Sequence, residues 1–159
     1  MGERGCSSIA LDPELRPTDG QDLSSAHIDA FRTIVFGQED QQYNINGRTF
    51  DHSRVDTRVP LGNIEQWTIQ NPSDEMHVFH IHQVNFQVIS RNGQPEAFNG
   101  NVDTVRIPPR QSVDLRIAFT RREILGRFMY HCHVMKHEDR GMMAQIEVYD
   151  PRQRSAPQP

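Results

Sequence analysis

The 159-residue sequence predicts an all-β sandwich built as a single domain. Three observations carry this expectation. Short runs rich in β-branched and aromatic residues recur between turn residues, one of them alternates apolar and polar strictly, and only two stretches could make even a turn of helix. The strict run sets Val113, Leu115, Ile117 and Phe119 on one face and Asp114 and Arg116 on the other. The length allows one core and is too short for two ordinary ones.

The elements follow in chain order. Residues 1 to about 30 mix Pro, Ser, Asp and Glu without a sustained period, which predicts a linker or disordered approach segment. "RTIVF" (32–36) reads as a strand, and "QQYNINGRTF" (41–50) carries Asn46-Gly47, the dipeptide that best tolerates the left-handed positions of a hairpin turn. "EQWTIQN" (65–71) follows, then "HVFHIH" (77–82), a strand if the segment is extended. "NFQVISRNG" (85–93) ends on a second Asn-Gly, and "DTVRIPP" (103–109) ends on prolines that cannot continue a ladder. After the alternating run, "RREIL" (121–125) and "VMKHEDR" (134–140) are the two possible helical turns. Between them lies "RFMYHCH" (127–133). "MMAQIEVY" (142–149) repeats the alternation with Met142, Ala144, Ile146 and Val148. The domain is expected over 31–150, with "PRQRSAPQP" (151–159) as a disordered tail.

Composition narrows the function classes. A net charge of −4 gives neither a basic groove for nucleic acid nor a polybasic patch for a membrane surface. No apolar run approaches the roughly 20 residues that span a bilayer, and the first fifteen residues lack the apolar core of a signal peptide. Partners of the nucleic-acid and membrane classes are not expected. The two cysteines, Cys6 in a polar tail and Cys132 among histidines, do not form a disulfide framework, and no Gly-rich phosphate loop or GxSxG element is present.

Chemistry concentrates in the histidines. Six of the eight lie in two clusters, His77, His80 and His82 in "HVFHIH" and His131, His133 and His137 in "HCHVMKH". Alternate strand residues point to opposite faces, so the rings of His131 and His133 go one way and the sulfur of Cys132 the other. If the first cluster is extended, His80 and His82 share a face and His77 takes the opposite one. Parity therefore sorts the ligands into two groups. Cys132, His77, His137 and Met142 supply a thiolate, two imidazoles and a thioether, the set of a blue-copper electron-transfer site with a weak axial methionine. His80, His82, His131 and His133 supply imidazoles alone, which suits copper that handles oxygen species. Zinc is the competing reading, because Cys and His are its usual ligands and His133 and His137 would share one helix face at i, i+4. His27 and His52 read as solvated surface residues, Met129 and Met135 as packing, Cys6 as incidental, and Met143 as pointing away from the metal.

The two motifs HxxHxH and HCHxxxHxxxGM, matched by His77, His80 and His82 and by His131, Cys132, His133, His137, Gly141 and Met142, resemble the last two copper motifs of the multicopper oxidases. The resemblance is to the carboxyl-terminal domain of that family, runs from about Arg32 to Asp150, and includes "YNINGRTFD" and "DTVRIPP". It implies a Greek-key β-sandwich of cupredoxin type. It assigns His77, Cys132, His137 and Met142 to a type 1 copper that takes electrons from a phenol, aromatic amine or metal ion. His80 falls to a type 2 copper and His82, His131 and His133 to a type 3 pair, the trinuclear site at which molecular oxygen is reduced to water. Cys132, His131 and His133 would carry the electrons between them. A periplasmic or secreted parent protein is suggested by the same resemblance.

One departure from the family pattern stands out. The trinuclear site needs two further HxH motifs, and this chain has no other histidine pair. A second cupredoxin domain, in the same parent chain or in another chain, would have to bring them. The alternative is a stand-alone blue-copper electron-transfer protein with a vestigial second group. Asp103 is open to two readings: a carboxylate orienting a ligating histidine through its free N–H, or an Asp that opens a strand with Thr104.

Overall fold

The computed structural model describes residues 20–39 and 42–153. Residues 1–19 and 154–159, which hold Cys6 and most of the spans read as approach segment and tail, lie outside the described residues. The strands are β1 (Ala30–Glu39), β2 (Gln42–Ile45), β3 (Thr57–Pro60), β4 (Ile64–Gln70), β5 (His77–Ile81), β6 (Phe86–Arg91), β7 (Gln94–Pro95), β8 (Thr104–Ile107), β9 (Ser112–Ala118), β10 (Gly126–Cys132) and β11 (Met143–Tyr149). A 3-10 turn at Arg122–Ile124 and the one-turn helix α1 (Met135–Glu138) fall on the two stretches expected to turn.

Two sheets face each other. One has the order β2-β1-β4-β9-β6-β7 and the other β3-β11-β10-β5-β8. Every residue of the strict alternation is placed as its period requires: Val113, Leu115, Ile117 and Phe119 are buried, while Asp114 and Arg116 stay partly open. Asp114 accepts hydrogen bonds from Thr68 and Ser90, and Arg116 donates to the carbonyls of Leu23 and Ser24. Those carbonyls, with the buried Leu23 side chain, fasten residues 20–29 along the first sheet. Both Asn-Gly pairs sit at positive φ on both residues, 51° and 75° at Asn46-Gly47 and 49° and 77° at Asn92-Gly93, the backbone that a tight hairpin turn needs.

The core between the sheets is aromatic. Trp67, Phe36, Phe79, Phe86, Phe119 and Tyr130 are all fully buried, with Trp67 edge-on to Tyr130 and Phe79. One charge enters this layer. Glu65 has no exposed surface, and its carboxylate is held by the Trp67 indole N–H at 2.9 Å and by Arg32, whose guanidinium reaches both oxygens. The pairing ties β1 to β4 beside the core.

The second sheet positions the chemistry. In the β10·β5 ladder His131 lies opposite His80 and Cys132 opposite Phe79. Cross-strand partners share a face, so His131 and His80 go outward together while Cys132 turns into the sandwich. β3 and β7 had no counterpart in the expected strands. β3 pairs in parallel with β11, far away in sequence, and β7 is only two residues long. Neither leaves a period to read.

Candidate metal centres

The inward face of β10 and β5 builds the first centre. Cys132, His77 and His137 are buried, and their ligand atoms lie within 4.8 Å of one another. The two Nδ1 atoms are 3.1 Å apart, and the Cys132 sulfur is 3.6 Å from that of His77 and 3.5 Å from that of His137. His137 reaches this point because α1 folds back directly after β10. Its N–H bonds the Val134 carbonyl, and its own carbonyl accepts from Met142 N–H. Met142 is thereby pinned between two ligands, since its carbonyl also accepts from Cys132 N–H at 3.1 Å. Gly141 makes the turn possible: its φ of +98° disfavours side chains, and an added Cβ would come within 3.2 Å of Thr49. Met142 is fully buried on the face of Ala144, Ile146 and Val148, whereas Met143 is on the other face.

Hydrogen bonds outside the centre decide which nitrogens face inward. His137 Nε2 lies 2.9 Å from a Glu75 carboxylate oxygen, which can only accept, so the ring proton sits on Nε2. His77 Nε2 lies 2.9 Å from Ser73 Oγ, whose own hydroxyl hydrogen is taken by Asn71 Oδ1 at 2.7 Å. Asn71 cannot reverse its amide, because its NH2 faces the carbonyls of Glu75, Ile107 and Pro108. Both Nδ1 atoms therefore carry lone pairs, aimed at each other and at a sulfur. Neither nitrogen has a proton to offer the other, only the Cys132 thiol can donate to them, and a cation that displaces the thiol proton would be bound by all three atoms. Two imidazoles, a thiolate and a buried thioether are a donor set that suits copper, which His77, Cys132, His137 and Met142 would hold.

On the outer face His80, His82 and His131 form a second group whose ligand atoms again lie within 4.8 Å of one another. The same logic of outward protons applies. His80 Nδ1 donates to the Asp103 carbonyl and to Thr104 Oγ1, both at 3.0 Å, and His131 Nδ1 donates to the Cys132 carbonyl at 3.2 Å. That leaves the Nε2 atoms of His80 and His131 with lone pairs, and the His82 Nε2, 3.2 Å from that of His131, can donate to it. His82 lies just beyond the end of β5, beside Gln83 at φ 61°, so a turn and not the strand period brings it in. His133 stands at the rim, exposed, its ring 5.4 Å from that of His80 and 5.6 Å from that of His131. His133 and His137 serve different faces, so the helical i, i+4 zinc pair is not formed. The Asp103 carboxylate is 3.9 Å from His80 Nδ1 and accepts the Thr104 hydroxyl at 2.9 Å, so it acts on the histidine through Thr104. His27 and His52 are exposed, as expected, while Met135, read as packing, is 77% exposed.

Burial favours the neutral, metal-ready form of His77, His82, His131 and His137. It lowers His77 to about 4, helped by His137 nearby and opposed by Glu75, and it also lowers His137, His131 and His82. Burial pushes the Cys132 thiol up, and the Val78 N–H, 3.4 Å from the sulfur, pulls part of the way back. Burial pushes Glu75 up as well, but hydrogen bonds from His137, Tyr43 and Gln38 outweigh it and hold the carboxyl below its usual range. His77, depressed on folding, binds fewer protons in the native state, so its contribution to stability is fully present above about pH 6.5 and is lost as pH falls through about 4. For His77 alone the loss is about 3 kcal/mol. The metal-free chain is expected to lower its urea midpoint between pH 7 and 4.5, and an unchanged midpoint would contradict the buried, neutral ring.

A cupredoxin-type sandwich with a Cys-containing site inside and an imidazole site back to back with it is the architecture of a copper-binding cupredoxin domain. The family model described as multicopper oxidase matches residues 19–152. A multicopper oxidase of Staphylococcus haemolyticus is 39% identical over 110 residues, covering 65% of this chain and 24% of the relative, and one of Staphylococcus aureus is 37% identical over 115 residues, covering 69% and 25%. The solved multicopper oxidase of Pediococcus acidilactici superposes with a TM-score of 0.71 at 39% identity, covering 80% of this chain and 27% of that one. The chain belongs to the multicopper oxidase family. It spans about a quarter of the length of the curated relatives named here.

The residues that the ligand motifs did not reveal are Asn71, Ser73, Glu75, Tyr43 and Thr104. Ser73 and Glu75 stand four and two residues before His77 in "NPSDEMH", a polar loop that any turn could contain. Tyr43 comes from β2, distant in sequence from both clusters.

Proposed function

We propose that this chain is the electron-accepting domain of a laccase-like oxidase, holding a type 1 copper and part of a trinuclear copper site. His77, Cys132, His137 and Met142 would hold the first ion. His80, His82, His131 and His133 would contribute to the second site, which another cupredoxin domain completes with two HxH motifs. Copper, when bound, supplies one-electron oxidation of a phenol, aromatic amine or metal ion at the first site and reduction of molecular oxygen to water at the second. The chain's own residues bring the inner donor atoms together out of water, whereas His82 and His133 of the outer set are exposed. Cys132 joins the two faces through bonds, because its neighbours in sequence, His131 in β10 and His133 just beyond its end, both lie beside the outer set.

The observation that carries the reading is this adjacency of two preorganised donor sets across one strand. Two members of the second set, His80 and His131, have their own orienting hydrogen bonds, a feature that supports an oxidase over a simple electron carrier. The test is oxygen uptake by the copper-loaded chain. Alone, it is expected to be negligible, since these imidazoles cannot hold three ions, and to appear when a polypeptide carrying the two HxH motifs is added. Efficient turnover by a verified monomer would overturn the proposal.

A further inference from the structure

We infer that Glu75 is a positioning residue of the inner centre, fixing His137 in the Nε2–H form and, as an anion, enriching that ring as a donor so that the oxidised ion is favoured. Glu75 lies outside the ligand motifs, and among the described residues its carboxylate hydrogen-bonds one ligand ring, that of His137. Its Oε2 accepts both the His137 N–H at 2.9 Å and the Tyr43 hydroxyl at 3.1 Å, and its Oε1 accepts from Gln38 at 3.3 Å. Three elements thus converge on one carboxylate: β1 through Gln38, β2 through Tyr43 and α1 through His137.

Tyr43 completes the clamp. Its ring stacks on His137 with centroids 4.2 Å apart and planes 19° from parallel, so His137 is held on its face by Tyr43 and on its edge by Glu75. The partner ligand is treated differently. His77 meets the neutral hydroxyl of Ser73 in place of a charge. A charged acceptor draws the N–H proton more strongly than a neutral one and leaves the opposite nitrogen more basic. Of the two imidazoles, His137 is therefore the stronger donor, and a stronger donor stabilises the cupric over the cuprous state. This electronic half rests on the copper reading above, whereas the tautomer half does not.

The experiment uses the full chain in both states. Without metal, the ring 15N shifts of His137 are expected to report a single Nε2–H tautomer in wild type and in Glu75→Gln, whose amide oxygen still accepts, and a mixture in Glu75→Ala. With copper, redox titration of the visible band should show a raised potential in both variants. Copper affinity should fall about 10- to 100-fold in Glu75→Ala. Asp74→Asn is the control. It removes a carboxylate of the same loop whose partner is Arg110, and it should change none of the three readouts. An unchanged His137 tautomer in Glu75→Ala overturns the clamp whether or not copper gives a visible band. A potential unmoved in Glu75→Gln, or moved equally by Asp74→Asn, overturns the electronic role.

Discussion

Cys132→Ser is expected to abolish the intense visible absorption of the copper-loaded chain. That absorption arises from charge transfer between a thiolate and a cupric ion, and Cys132 is the only described cysteine, with no exposed surface and both Nδ1 donors within 3.6 Å of its sulfur. A hydroxyl is a poor donor to copper and has no comparable transition. The substitution is close to isosteric, and the Val78 N–H that points at the sulfur can point at an oxygen, so the fold should survive. The expected result is a folded, colourless protein, checked by far-ultraviolet circular dichroism beside the absorption spectrum. His77 and His137 remain, so some copper binding should persist without the band. A wild-type chain that binds copper without colour, or a Ser variant that keeps the band, would overturn the assignment of the inner centre.

Much of this centre was legible because a strand has a period of two. Parity alone separated Cys132 and His77 from His80 and His131, and the β10·β5 register then set the right pairs opposite each other. His82 was placed by the same parity, on the expectation that the first cluster is extended, and His137 by standing a short loop after Cys132. In the structure neither lies within a strand, and a turn at Gln83 and the fold-back of α1 bring them in. The orienting residues were not legible. Glu75 and His137 are 62 residues apart and meet only through a loop and a one-turn helix, whose contacts no local pattern encodes. The same holds for β3, whose sequence "TRVP" gains its place from the parallel ladder with β11.

Met142→Gln is expected to lower the reduction potential of the inner copper site, and Met142→Leu to raise it. A thioether is a soft, weak axial donor that favours the cuprous ion, an amide oxygen is harder and favours the cupric ion, and a leucine removes the axial donor altogether. The geometry makes Met142 the residue to change. Its backbone is hydrogen-bonded to both Cys132 and His137, it is fully buried, and the positive φ of Gly141 turns the chain into it. Met143 is the internal control. In the β10·β11 ladder it lies opposite His131, so it shares the outer face of the sheet and not the inner one. The same two substitutions at Met143 should leave the potential of the inner site in place. Redox titration of the visible band reads all four variants. Equal potentials for wild type and both Met142 variants would remove Met142 from the axial position, and a shift confined to Met143 would mean that the register of β11 after Gly141 is displaced by one residue.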